Sequence, residues 1–106
     1  MPSIFTRIIN KEIPREFIYE NENLIVIKDI NPKAKTHLLI IPKKEIPSIN
    51  ELEEIEDKEI LSDMFLVAKK IASNLKISEW YQLHFNVWAK WWQEVMHLHL
   101  HLLSDL

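Results

Sequence analysis

Residues 96–103 read Met96-His97-Leu98-His99-Leu100-His101-Leu102-Leu103, an alternation of imidazole and leucine. Alternation with a period of two is the period of a β-strand, so His97, His99 and His101 share one face and Leu98, Leu100 and Leu102 share the other. A strand over Val95 to Leu103 is therefore expected, with its leucine face in a core and its imidazole face free for chemistry. An appended histidine tract is a polar run and would not alternate with leucine. A structural role accounts for one buried histidine, and poorly for three in register.

Working outward, the run Tyr81 to Val87 reads as the preceding strand, joined to the last by Trp88-Ala89-Lys90-Trp91-Trp92-Gln93-Glu94. On it His84 alternates with Leu83 and Phe85 and is as readily solvent-facing as functional. From Asp57 to Leu75 the residues Ile60, Leu61, Met64, Phe65, Val67, Ala68, Ile71, Ala72 and Leu75 recur at three- and four-residue intervals, which predicts a long amphipathic helix. Thr36 to Ile41 is a strand ended by Pro42, and Asn31-Pro32 marks a turn. Phe17 to Tyr19 and Leu24 to Asp29 form a hairpin about Glu20 to Asn23. Ser3 to Glu12 opens the chain as a short helix that Pro14 breaks, and Lys43-Lys44 reads as a solvated loop. Strands joined mostly by short turns, with one long and one short helix, give an α+β fold on an antiparallel sheet.

The chain has 106 residues, 13 Lys+Arg against 16 Asp+Glu and a net charge of -3, which fits one domain over residues 1–106. At 47% hydrophobic it can bury a core, and with no cysteine it needs no disulfide. The slight acidic excess offers no basic face for nucleic acid, and the lack of a leader or a long apolar run predicts no membrane span and a cytoplasmic setting. Glycine is absent, while Trp80, Trp88, Trp91 and Trp92 place three of four tryptophans within five residues.

Two chemistries suit a row of imidazoles. Along a strand His97 and His101 stand about 13 Å apart, whereas zinc ligands must meet within bonds of about 2.0 to 2.1 Å, so one ion cannot take all three. Two of them with His37 or Glu45 could, which would make a metal-assisted hydrolase. The alternative is nucleophilic: a neutral ring nitrogen of the middle residue, His99, attacks phosphorus while its neighbours orient it and supply hydrogen bonds or a proton.

The segment His97 to Leu103 resembles the signature of the histidine triad (HIT) superfamily, His-φ-His-φ-His-φ-φ with φ apolar. Ser3 to Ile9 with Glu12-Ile13-Pro14, Asp29-Ile30-Asn31-Pro32 and Thr36 to Lys44 match the family in order, so the resemblance spans nearly the whole chain. It implies a homodimer whose five-stranded antiparallel sheet extends across both subunits, binding a purine mononucleotide and hydrolysing AMP conjugates of the adenosine phosphoramidate type without a cofactor. By the same resemblance His99 is the nucleophile and His97 orients it, while His101 and the backbone of Gln93, Glu94 and Val95 contact the phosphate. Asp29 holds the ribose hydroxyls, Ile30 lies against the base, Asn86 contacts the ribose or phosphate, and His37 stands behind the triad. Taken alone, Asp29 also reads as a cap of the turn before Asn31-Pro32.

The chain departs from the family in three places. Many bacterial relatives bind structural zinc with Cys-x-x-Cys at the positions of Ser3 and Thr6, a His at Glu45 and the first triad histidine, so no metal is expected here. Glu94 stands where Ser or Thr is usual, and a carboxylate there repels an anionic phosphate. All four tryptophans fall on family glycine positions, where positive φ and close backbone approach to phosphate favour glycine. They read either as an aromatic lid or as decoding: UGA means Trp in some genetic codes and Gly in others. Indoles physically present there are expected to displace residues 88–92 and weaken phosphate binding, leaving a nucleotide-binding protein with impaired catalysis.

Overall fold

The computed structural model describes residues 2–88 and 92–106. Its elements in chain order are α1 (Ile4–Ile9), β1 (Tyr19–Glu20), β2 (Leu24–Lys28), β3 (Thr36–Pro42), a 3₁₀ turn (Ile49–Glu51), α2 (Lys58–Asn74), β4 (Gln82–His84) and β5 (Leu100–Ser104). The strands form an antiparallel sheet in the order β1-β2-β3-β5-β4, as the α+β reading expects. No helix among the described residues is long and apolar enough to cross a membrane.

Strand parity divides the protein into two layers. On one side of the sheet Leu24, Val26, Leu38, Ile40, Leu98, Leu100 and Leu102 pack against Met64, Val67, Ala68, Ile71 and Ala72 of α2. On the other, Ile25, Ile27, Leu39 and Ile41 pack against Phe5 and Ile8 of α1. The short α1 covers only part of that second side, and the histidines occupy the remainder.

Both helices end in the same way. Ile77 N–H reaches the Ala72 carbonyl and Lys76 N–H the Ser73 carbonyl; Glu12 N–H reaches Arg7 and Lys11 N–H reaches Ile8. These are paired Schellman closures, with Lys76 at φ 61° and Lys11 at φ 63° where glycine is commonest. Ahead of α2, Asp57 accepts Glu53 N–H and Lys44 Nζ, so Lys44 is tied to the fold rather than simply solvated.

The last strand is shorter than its sequence pattern. Pairing begins at Leu100, opposite Ile40, and does not reach back to Val95. Pro42 has no amide to donate, its carbonyl is taken by the His97 ring, and Leu98 N–H turns instead to Ile46. The imidazole and leucine faces nevertheless persist through 97–102. The hairpin's first strand is likewise Tyr19–Glu20 rather than Phe17 to Tyr19, because Asn21 Oδ1 accepts both Asn23 and Leu24 N–H and sets the turn there.

Candidate active site

Register assembles the site. His101 of β5 lies opposite Leu39 and His84, His37 sits two residues from Leu39, and Asp29 N–H bonds the His37 carbonyl just beyond β2. His37, His97, His99 and His101 are all buried. Phe5 presents its ring edge-on to His97 and His99 at 5.8 and 5.1 Å, walling the row from the α1 side.

Carbonyl partners fix which nitrogens carry protons, since a carbonyl can only accept. His97 Nε2–H donates to Pro42 O at 2.8 Å, and its Nδ1 faces Ser3 Oγ at 2.6 Å. His99 Nδ1–H donates to His97 O at 2.7 Å, which leaves Nε2 as that ring's lone-pair nitrogen. His37 Nδ1 accepts Lys33 N–H, so its Nε2 bears the proton; it points at His101 Nδ1, 2.9 Å away, and at Asp29 Oδ2, 3.3 Å away. His101 Nδ1 is thereby the acceptor and its Nε2 the donor, and that donor is buried without a partner among the described residues.

Burial dominates the electrostatics. It holds all five histidines below the usual imidazole range, with His101 pushed down to about 3 by desolvation and by the neighbouring His99, His84 and His37. The rings are therefore neutral at pH 7. A neutral His99 keeps a nucleophilic lone pair, and a neutral His101 still offers an N–H.

The other expected residues divide. Asp29 Oδ1 accepts Asn31 N–H, the turn-capping role, while Oδ2 faces the histidines and keeps acceptor capacity. Ile30 is 77% exposed beside it. Asn86 acts on His84, favouring its protonated form against the larger opposing effect of burial. Gln93 is buried: its Oε1 accepts Trp88 N–H and its Nε2 donates to Pro47 O and Val95 O, so its side chain brackets the loop while Gln93 N–H closes onto Trp88 O. Glu94 is exposed, and its charge favours the protonated form of His99. Val95 packs in the α1-side core. Trp88 and Trp92 sit at φ 68° and 65°. The displacement expected of 88–92 falls largely on 89–91, outside the described residues.

Sequence reasoning undervalued His84. Its ring stacks on His101 with centroids 4.6 Å apart and planes 8° from parallel, so it belongs to the cluster. The signal was its parity with Asn86, two residues on, already a candidate.

Metal chemistry fits neither candidate spot. Asp29, His37 and His101 offer ligand atoms within 4.8 Å of one another, yet a cation there would have to displace the His37 Nε2 proton and the Lys33 bond that fixes it. The zinc-position residues Ser3, Thr6, Glu45 and His97 hold two hydroxyls that remain protonated at neutral pH and one carboxylate, already bonded to one another.

Comparison with known proteins identifies the family of the chain. The family described as scavenger mRNA decapping enzyme C-term binding matches residues 2–106. The purine nucleoside phosphoramidase of Escherichia coli K12 is 41% identical over 103 residues, 96% of this chain and 86% of that protein. An uncharacterized HIT-like protein of Synechocystis is 41% identical over 102 residues, covering 96% and 89%. The crystal structure of a HIT family hydrolase from Legionella pneumophila superposes with a TM-score of 0.94 at 43% identity, covering 99% of this chain and 94% of that one. The chain thus belongs to the histidine triad family.

Proposed function

We propose that this protein hydrolyses purine nucleoside phosphoramidates or related AMP conjugates through His99. The observation that carries the reading is the proton arrangement: His99 Nδ1–H is committed to His97 O, its Nε2 lone pair is available, and beside it His101 holds a buried Nε2–H without a partner among the described residues. In the first step Nε2 attacks the α-phosphorus, the bond from phosphorus to the leaving nitrogen or oxygen breaks, and the leaving group departs with a proton drawn from solvent, which the water of the second step returns. The His101 N–H is suited to bond a phosphoryl oxygen as its charge grows. Water then attacks the nucleotidyl-histidine, breaking the phosphorus–Nε2 bond and releasing AMP. The Asp29 Oδ2 carboxylate suits ribose hydroxyls, and exposed Ile30 offers an apolar surface for a base. Two of the similar proteins support the reaction class, being named a purine nucleoside phosphoramidase and a HIT family hydrolase.

Incubation with adenosine phosphoramidate tests this. Turnover that disappears in His99→Ala is expected. AMP binding without turnover would instead favour a binding protein of the same fold, a reading supported by Glu94 and the strained loop. A homodimer whose sheet continues past the free edge of β4 belongs to the same proposal, and sedimentation giving only monomer would refute it.

We also propose that glycine is the native residue at 80, 88, 91 and 92, decoded as Trp from UGA. Positive φ at Trp88 and Trp92 supports it, since a left-handed backbone disfavours any Cβ. Reading the four codons decides the matter: UGG at these positions would refute it.

A further inference from the structure

The start of α1 is bonded into the histidine row, across 94 residues of sequence, by the Ser3 hydroxyl. His97 is fully buried, its Nε2–H is spent on Pro42 O, and a neutral ring so placed has a bare Nδ1 that needs a donor. Two hydroxyls are near: Ser3 Oγ at 2.6 Å and Thr6 Oγ1 at 3.5 Å. Glu45 settles which of them serves. Its Oε1 accepts the Thr6 hydroxyl at 2.9 Å and Ser3 N–H at 2.5 Å, bonds that hold its carboxyl below the usual range and keep it charged. Thr6 N–H in turn donates to Ser3 Oγ, so the Ser3 hydroxyl proton has His97 Nδ1 as its nearest acceptor. The Ser3 amide and the Thr6 hydroxyl thus donate to Glu45, the Thr6 amide to Ser3 Oγ, the Ser3 hydroxyl to His97 Nδ1 in preference to the more distant Thr6 Oγ1 at 3.3 Å, and the His97 ring to Pro42.

We propose that Ser3, directed by Glu45, is a positioning residue for His99: by donating to His97 Nδ1 it locks the ring whose own backbone carbonyl receives His99 Nδ1–H. This rests on His99 being the nucleophile. The hydrogen-bonded clamp lies at the positions where many bacterial relatives bind structural zinc, with a donor set that does not suit zinc. It ties the opening helix to the triad by other means.

The test uses the full chain and the variants Ser3→Ala, Ser3→Thr and Ser3→Asp. Aspartate is as good a helix cap as serine but accepts where serine donates, so it separates capping from the bond to His97. Long-range ¹H–¹⁵N spectra of the imidazoles at neutral pH read ring protonation directly. In the unaltered protein His97 is expected as the Nε2–H form with Nδ1 accepting, and His99 as the Nδ1–H form. Ser3→Thr should preserve that pattern, Ser3→Ala should shift His97 Nδ1 to the unbonded value, and Ser3→Asp should place a proton on it. With adenosine phosphoramidate, kcat should fall on the order of 10-fold in Ser3→Ala and Ser3→Asp, with KM changed less than about two-fold and Ser3→Thr active. Unchanged ring protonation, or unchanged kcat, in Ser3→Asp overturns the proposal. Should the unaltered protein show no turnover, the reaction assigned to His99 fails, and the ring spectra alone decide whether the clamp exists.

Discussion

Acid should begin to destabilise this protein above the pH at which its carboxylates protonate. His97, His99 and His101 are 0%, 8% and 9% exposed, and in each, burial is the leading cause of a depressed pKa. The folded values lie below the value of about 6.5 for an unfolded chain, so the unfolded state takes up protons first as pH falls. Their contribution is therefore complete above about pH 6.5 and is lost below it. At pH 5.5 an unfolded histidine is roughly 90% protonated, and a ring still neutral in the fold has forfeited about 1.4 kcal/mol. His101, held at about 3, is such a ring, and His97 and His99 shift in the same direction and add to the loss, against the 5–15 kcal/mol typical of a domain. His37 and His84 shift in the same direction and steepen the loss. Glu20, Glu45 and Asp57 are also depressed, but they act only below their unfolded values near pH 4 to 4.5. Urea unfolding followed by circular dichroism at pH 7.5, 6.5, 5.5 and 5.0 measures the slope. No fall between pH 7.5 and 5.5 would mean that the His101 ring is not held neutral, and the proton assignments of the site would fall with it.

Leu100, fully buried between β3 and α2, should cost about 2–5 kcal/mol on truncation to Ala and lower the melting temperature by roughly 10 °C or more. Ile55→Ala, at a residue 90% exposed, should move stability by less than about 0.5 kcal/mol, and equal effects in the two would contradict the layer assignment. Trp88→Gly and Trp92→Gly should each relieve on the order of 1 kcal/mol of left-handed strain and together tighten AMP binding by calorimetry; no gain in either would count against a glycine requirement there.

How far the sequence could be read depends on the range of the interaction involved. Parity is local: the side chain at i+2 returns to the same face whatever the partner strand does, so the alternation in 97–102 placed three imidazoles opposite three leucines even though ladder pairing starts only at Leu100. The α2 stripe was equally legible, and its ends came within one residue because the periodicity runs over nearly five turns. The early end of the β5 ladder could not be read from residues 95–99, because its cause is Pro42, which belongs to another strand and lacks the amide that pairing would need. The Schellman closures at Lys11 and Lys76 fall on residues that carry no left-handed signal, whereas the Ser48 cap of the 3₁₀ turn, with Glu51 three residues on, has the spacing of a capping box. The site shows the same division more sharply. Residue type and parity identify which imidazoles gather, but the direction of each hydrogen bond is fixed by the group that happens to face it: Pro42 O, His97 O, Lys33 N–H and the Ser3 hydroxyl. Those groups are brought in by strand register and by the docking of α1. Ser3 and Glu45 illustrate the consequence, for in the sequence they are marked only by the metal ligands they replace, whereas in the fold the Ser3 hydroxyl, its amide held by Glu45, faces the His97 Nδ1 that Pro42 O leaves bare. A histidine row can therefore be recognised from sequence while its reactive nitrogen cannot, because protonation at each ring is a property of the assembled contacts.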